Sequence, residues 1–311
     1  MSASTAVAPF VHAALLYNGD TEYLATVVPF ITAGLAAGEP VAAAVPPRQL
    51  ALLRAELGVA ADDVRLLDMT DVGRNPGRII AGVLLPFADA HPDRPVRIVG
   101  EPVWPARSVD EYPACVQHEA LINNAFAGRC ATVLCPYDVA GLDPSMVADA
   151  ATTHPTMADA TGSWHSDRFA PGAAVASGNV PLAVPPDALV YAVDTPDMTE
   201  LRQVATDFAV RHGLTGERVQ DLVLALTELA CNSIEHAHCG ATVLLGTCAT
   251  GLVCQVRDLG HITDPLAGRR PASTHQLRGR GLLLVNQLAD LVRVHTTTEG
   301  TTIEIRFRVP A

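Results

Sequence analysis

The chain has 311 residues, 49% of them hydrophobic and 17% charged, with a net charge of -12. That length points to about two domains, and the apolar share excludes a disordered chain. An acidic balance with no basic cluster excludes direct nucleic-acid binding as the main role, since phosphate contacts need a basic surface.

All 21 cationic residues are arginine. A Walker A loop and Schiff-base chemistry are therefore excluded in their usual lysine-dependent forms. The seven cysteines include no CxxC pair. The N-terminus lacks the basic start and apolar run of a secretory signal. No uninterrupted apolar run of about 18 residues is present, so no membrane span is predicted. The expectation is a cytoplasmic protein with reduced thiols.

Residues 10–160 alternate short apolar runs with helical stretches. "HAALLY", "PVAAAVP", "VRLLDM", "VRIVGEPVW" and "ATVLCPYD" read as strands. Helical segments lie between them, the first of them "DTEYLATVVPFITAGLAAG". This alternation predicts a mostly parallel sheet with helices on both faces. Residues 161–186 are rich in Gly, Ala, Ser and Pro and read as a linker.

The second domain, 187–311, opens on the strand "ALVYAV". The helix "MTELRQVATDFAVRHG" follows, with Thr199 or Asp197 as its N-cap and Gly213 as its stop. Two predicted hairpins, one turning near Thr250-Gly251, make the domain an α/β sandwich.

"LVLALTELACNSIEHAH" is the helix that carries chemistry. Leu222, Leu224, Leu226 and Leu229 are assigned to its apolar side. Glu228, Asn232 and His236 stand four residues apart and share a second face. Alone, such a row is a solvated helix face. Downstream, however, "VRDLG" puts Asp258 at a strand end with Gly260 beside it, able to accept from an exocyclic amine and admit a flat ring. "LRGRGLLLV" puts Gly279 and Gly281 before a helix whose N-terminus suits phosphates, flanked by Arg278 and Arg280. "EGTT" starts the last strand with Thr301 and Thr302.

With this ordered set, residues 187–309 resemble the GHKL-type (Bergerat) ATPase domain in its small anti-sigma-factor kinase form. The resemblance implies ATP and Mg²⁺ as cofactors, with Asn232 as the Mg²⁺ ligand. It implies that Glu228 is the general base on a protein serine and that Asp258 binds the adenine amine beside Gly260. Gly279, Arg280, Gly281 and Leu282 match the glycine box that wraps the phosphates, and Thr302 or Thr301 matches a threonine near adenine. His236 either contacts the nucleotide region or ends the polar row. The family's D-x-G-x-G box is incomplete, because Ile262 stands at its second glycine. The loop "PLAGRRPASTHQ" corresponds to the lid over ATP. The partners implied are a sigma factor and a STAS-type anti-anti-sigma protein carrying the acceptor serine, and the domain implies a homodimer.

Residues 10–160 resemble the MEDS sensory domain through "HAALLY", "GEPVW", "HEALIN", "CPYD" and "THP". That family is similar to the RecA/KaiC fold with a decayed phosphate loop; "NGDTEY" stands where the loop would be. It implies a small-molecule sensor. Ligands of open parallel sheets sit beyond the strands' carboxyl ends. Tyr17, Asp20, Glu101, Trp104, Cys135, Tyr137 and Asp138 are accordingly assigned to a sensor crevice. A zinc site among Cys115, His118, Cys130, Cys135 and His154 needs four convergent ligands, which pairwise spacing does not supply. Buried cysteines acting as small hydrophobes are the simpler reading.

The sequence thus reads as a sensor domain gating an ATP-dependent serine kinase of the anti-sigma type. The alternatives are a non-catalytic protein that sequesters its partner with or without ATP, and a first domain that is itself an enzyme.

Overall fold

The computed structural model describes residues 10–195, 197–237, 239–272 and 279–309. It separates into two compact units. One holds the residues up to Arg74 together with Gly82–Gly178; the other holds Asn75–Ala81 and the residues from Asn179 onward.

The first unit is built on a seven-stranded sheet in the order β3-β2-β4-β5-β1-β6-β7. Its strands are β1 (Val11–Tyr17), β2 (Val41–Val45), β3 (Val64–Asp68), β4 (Val96–Gly100), β5 (Ala131–Asp138), β6 (Thr156–Asp159) and β7 (Gly162–His165). Strands β1 to β6 pair in parallel, and β7 folds back antiparallel on β6. Val and Ala dominate the central strands because both of their faces are covered. Helices α1 (Gly19–Ala36) and α2 (Pro47–Leu57) cover one face. Tyr23, Val27, Ile31 and Leu53 pack there on Ala13, Leu15, Val41, Ala43 and Val99. Strand alternation sends His12 and Ala14 to the opposite face. There His12 meets Asn123 of a later helix.

The helical run from Pro76 is broken in three. A four-residue turn α3 (Met69–Val72) precedes it. The run itself consists of α4 (Pro76–Ile79), a π-helical turn over Ile80–Leu84, and α5 (Leu85–Asp89), which begins just before Pro86. A ring that cannot donate an amide hydrogen interrupts the α-helical ladder at that point. Helices α6 (Tyr112–Ala125) and α7 (Pro144–Thr153) follow. The stretch 161–186 is not uniform. It contains β7 and α8 (Pro171–Ser177), whose Ala174 packs on Val116 and Ala120 of α6.

The second unit is a five-stranded antiparallel sheet in the order β11-β12-β10-β9-β8. The strands are β8 (Leu189–Val193), β9 (Ala241–Cys248), β10 (Gly251–Asp258), β11 (Leu291–Thr297) and β12 (Gly300–Arg308). Helices α9 (Thr199–Arg211), α10 (Glu217–His236) and α11 (Gly281–Leu288) bury their apolar stripes on one face. Leu201, Phe208, Leu222, Leu226, Leu229 and Val285 meet Val243, Leu245, Cys254, Val256, Ile305 and Phe307 there. Met198, and neither Thr199 nor Asp197, is the N-cap of α9; one residue earlier Asp197 Oδ1 accepts from the Thr199 amide at 3.0 Å and hydroxyl at 2.7 Å, which turns the chain into the helix. Leu224 departs from the sequence reading. It is 41% exposed, since a residue two places from Leu222 is about 200° round the helix.

The other sheet face carries Gln255 and Glu304, both buried and joined at 2.8 Å. A strap of chain crosses it. Gln255 Nε2 donates to the Ala183 carbonyl at 2.7 Å. Pro185 lies so close that a Cβ on Gly246 would sit 2.5 Å from it. Asn179 pairs with edge strand β11, donating to the Thr296 carbonyl at 2.8 Å and accepting from its amide at 3.0 Å.

No disulfide joins the seven cysteines. Among the described residues, no helix is long and apolar enough to cross a membrane.

Candidate functional site

A cavity of about 500 Å³ opens in the second unit between the end of α10, the end of β10 with the loop after it, and the start of α11. That is the size of an ordinary small-molecule site. Asn232, His236, Asp258, Gly260, Gly279, Gly281, Leu282 and Thr301 line it. Residues assigned to one site from four separate sequence segments therefore share one wall.

Helix α10 positions the first of these. Its buried stripe of Leu222, Leu226, Leu229 and Ser233 faces the sheet, which turns Asn232 and His236 toward the cavity rim. Glu228 is half-buried and does not line the cavity; it stands against Gly281. A Cβ on that glycine would meet Glu228 Oε2 at 2.7 Å and the Asn232 amide at 3.2 Å. A side chain at Gly281 would push the Glu228 carboxylate and the Asn232 amide aside. The first-turn N–H groups of a helix have no partner within it, so the α11 N-terminus presents donors to an anion.

Asp258 ends β10 with both carboxylate oxygens engaged. Oδ2 accepts from the Ser233 hydroxyl at 2.6 Å, and Oδ1 accepts from the Gly260 amide at 2.7 Å. A carboxylate has about four acceptor positions, so capacity remains for an exocyclic amine. Ser233 was missed from sequence. Its signal was its place one residue past Asn232, on the helix side that faces β10. At Gly260 a Cβ would lie 2.7 Å from Ala237 Cβ, so the loop can hug the helix end only without a side chain.

Of the two threonines left open by sequence, Thr301 lines the cavity. Its hydroxyl donates to the Gly260 carbonyl at 2.8 Å and lies 2.7 Å from the Thr296 hydroxyl. Thr296 in turn accepts from the Ile262 amide at 3.0 Å. The direction of this relay is fixed at both ends, by an N–H that can only donate and a carbonyl that can only accept. Ile262 therefore contributes its backbone to the loop at the position where the family has a second glycine. Thr302, the next residue on β12, is opposite Arg257 and His295 in the sheet. Thr301→Val should lower the urea-unfolding stability by about 1–3 kcal/mol by stranding buried polar groups. Thr302→Val should stay within about 0.5 kcal/mol of wild type.

Gly268, with φ +70°, is a further missed residue. A Cβ there would fall 2.6 Å from Leu282, so the loop after β10 lies directly on α11. Arg280 is exposed at the N-cap of α11. Arg278 and the lid residues 273–276 lie outside the described residues.

In the first unit, the proposed crevice residues separate by strand alternation. Tyr17 and Glu101 meet, with the Tyr17 hydroxyl donating to Glu101 Oε1 at 3.0 Å and Gln49 donating to Tyr17 at 3.3 Å. Glu101 is fully buried, and its Oε2 has no hydrogen-bond partner. Burial raises its pKa to about 8; the Tyr17 bond opposes the rise and the Asp138 charge adds to it. Cys135 and Tyr137 belong to the other sheet face. They are level with Ala14 and Leu16 in the β1–β5 register, and Tyr137 stands edge-on to His154, 5.7 Å between ring centres. Asp20 is exposed and paired with Arg48 at 2.8 Å. Trp104 lies under the Arg107 guanidinium at 3.7 Å.

A search of curated proteins gives no match. Residues 11–155 match the MEDS family, described as the methanogen/methylotroph, DcmR sensory domain, and residues 192–307 match the histidine kinase-like ATPase domain. The chain is thus similar to a MEDS domain in its N-terminal part and to a histidine kinase-like ATPase domain in its C-terminal part.

Proposed function

We propose that this is an anti-sigma regulatory protein. It binds a sigma factor and uses Mg-ATP to phosphorylate a serine of a STAS-type anti-anti-sigma partner, with the MEDS domain as its small-molecule sensor. The observation that carries the reading is the convergence of Asn232, Asp258, Gly260, Gly281 and Thr301 on one cavity, at positions that match the motifs of the anti-sigma kinase form.

The donor set fits the cofactors. The Asn232 amide oxygen is a hard ligand, and Mg²⁺ needs few protein donors because it keeps waters and phosphate oxygens. The ion supplies the charge compensation that phosphoryl transfer requires. Asp258 would accept from adenine's amine. The α11 N-terminus with Gly279 and Gly281 would receive the phosphates. Glu228, one helical turn before Asn232, would take the proton of the partner's serine hydroxyl as that oxygen bonds to the γ-phosphorus and the β–γ bridging oxygen leaves with ADP.

One observation favours a second reading, a protein that binds ATP and its partner without turnover: Glu228 is set behind Gly281 rather than on the cavity wall. Calorimetry tests the nucleotide step that both readings share. Wild type should bind Mg-ATP, and Asn232→Ala should weaken binding roughly 10- to 100-fold, the cost of one charge-assisted ligand. Equal affinity in the two proteins would remove Asn232 as the metal ligand.

A further inference from the structure

The first unit holds a second constellation, far in sequence from any residue of the nucleotide site. His12 on β1, Glu119 on α6, Cys135 on β5 and His154 just after α7 bring one donor atom each to a common point. Every pair of these atoms lies within 4.8 Å, and all four residues are buried. Sequence spacing had gathered Cys115, His118 and Cys130 with Cys135 and His154. The fold retains only the last two and adds His12 and Glu119.

The surrounding bonds fix which atoms face inward. Asn123 commits its amide nitrogen to the carbonyls of Ala120 and Thr153, at 3.0 and 2.8 Å. Its oxygen is thus an acceptor, and His12 Nδ1, 3.2 Å away, carries the hydrogen. His154 Nδ1 lies 3.0 Å from the Ala150 carbonyl, which can only accept, and 2.9 Å from the Thr153 hydroxyl, whose own hydrogen goes to the carbonyls of Asp149 and Ala150. Both imidazoles therefore hold their hydrogen on Nδ1 and turn an Nε2 lone pair inward. Each Nε2 is 3.3 Å from the same Glu119 oxygen, Oε2. Neither Glu119 oxygen makes a hydrogen bond, nor does His154 Nε2. Cys135 Sγ is 3.4 Å from His12 Nε2. Lone pairs and a carboxylate crowded together away from water repel one another unless a cation lies between them.

We propose that His12, Glu119, Cys135 and His154 form a closed binding site for a divalent transition-metal ion, with Zn²⁺ the best fit. Three of the six donor–donor edges are 3.3, 3.3 and 3.4 Å, near those of a tetrahedron whose arms are about 2.0–2.1 Å to nitrogen and oxygen and about 2.3 Å to sulfur, and the remaining pairs stay within 4.8 Å. Two imidazoles, a carboxylate and a sulfur suit Zn²⁺, Co²⁺ or Fe²⁺ and are too soft for Mg²⁺. On uptake the Cys135 thiol gives its proton to solvent and its sulfur bonds the metal. The ion's two positive charges then balance the thiolate and the carboxylate, so the buried assembly is neutral. Hydrogen bonds from each imidazole's outer nitrogen are the usual support of such ligands. The ion would tie β1, β5, α6 and the end of α7 together on one face of the parallel sheet.

The test is metal analysis of the full-length protein after chelator treatment and re-equilibration with Zn²⁺ or Co²⁺. About one tightly held equivalent per chain is expected. Co²⁺ should give the intense visible absorption of a tetrahedral site and a thiolate charge-transfer band. That band should vanish in Cys135→Ser and persist in Cys115→Ser. Asn123→Ala should keep the sulfur ligand and weaken affinity about 10- to 100-fold. Should Cys135→Ser fail to fold, X-ray absorption of the wild-type zinc form reads the donor set directly, one sulfur with three nitrogen or oxygen ligands. No stoichiometric zinc, a zinc shell without sulfur, or an unchanged cobalt band in Cys135→Ser would each overturn the proposal.

Discussion

Glu228→Gln is expected to lower phosphate transfer to the partner's serine by about 10²–10⁴, the usual worth of a positioned general base. Mg-ATP affinity should be unchanged, because Glu228 is outside the cavity lining. The substitution keeps the side chain's volume beside Gly281, where a Cβ would already be 2.7 Å from Oε2, so α11 keeps its seat. Labelled-phosphate transfer measured alongside calorimetry separates the two effects. Lost transfer with intact binding identifies Glu228 as the base. Transfer at the wild-type rate would mean that Glu228 is a positioning residue for Asn232 and α11. If the wild type itself binds nucleotide without transfer, the sequestering reading stands.

The second large effect is a pH dependence carried by Glu101. Its folded-state pKa is raised from 4.5 to about 8 by burial, against the Tyr17 hydrogen bond and with the Asp138 charge adding to the rise. The folded chain therefore holds this proton more tightly than the unfolded chain does. The contribution is fully present below about pH 4.5 and is lost as pH climbs through about 8. Glu101→Gln keeps an acceptor for the Tyr17 hydroxyl and removes the ionisation. The variant's stability relative to wild type should therefore grow with pH, by roughly 4 kcal/mol between about pH 5 and pH 9. Urea unfolding of both proteins across that range measures the difference. Parallel curves would show that Glu101 ionises freely in the folded state.

Much of this architecture was legible because both sheets announce themselves in period and composition. Apolar runs such as "VAAAV", too short for a helix and alternating with helical stretches, read as buried strands, and "TELACNSIEH" carries a polar row at helical spacing beside an apolar stripe. The lining of the second unit's cavity includes residues the sequence had singled out, since they sit at helix and strand ends that pattern locates. Two of the misreadings share a cause, the direction of side chains. Leu224 was counted with Leu222 although two residues along a helix turn it outward. Cys135 and Tyr137 were grouped with Tyr17 and Glu101 because all are near strand ends, although alternation sends the two pairs to opposite sheet faces. The His12 cluster was illegible for a further reason. Its members come from four elements, and no spacing in the sequence foretells that β1 lies between β5 and β6.

The strap from Asn179 to Pro185 decides where this chain can be divided. By composition the seam would be put near residue 187, at the first residue of regular pattern. A fragment begun there would leave behind the Ala183 carbonyl that takes up Gln255 and the Asn179 amide that occupies a rung of β11. The polar pair Gln255 and Glu304 would lose its cover. β11, an outer strand of the sheet, would also be left with an open N–H and C=O, the template on which strands of separate molecules add to one another. A fragment begun at Asn179 keeps that rung covered and gives up the one at Val292, whose amide donates to Asn75 in the earlier segment of the same unit.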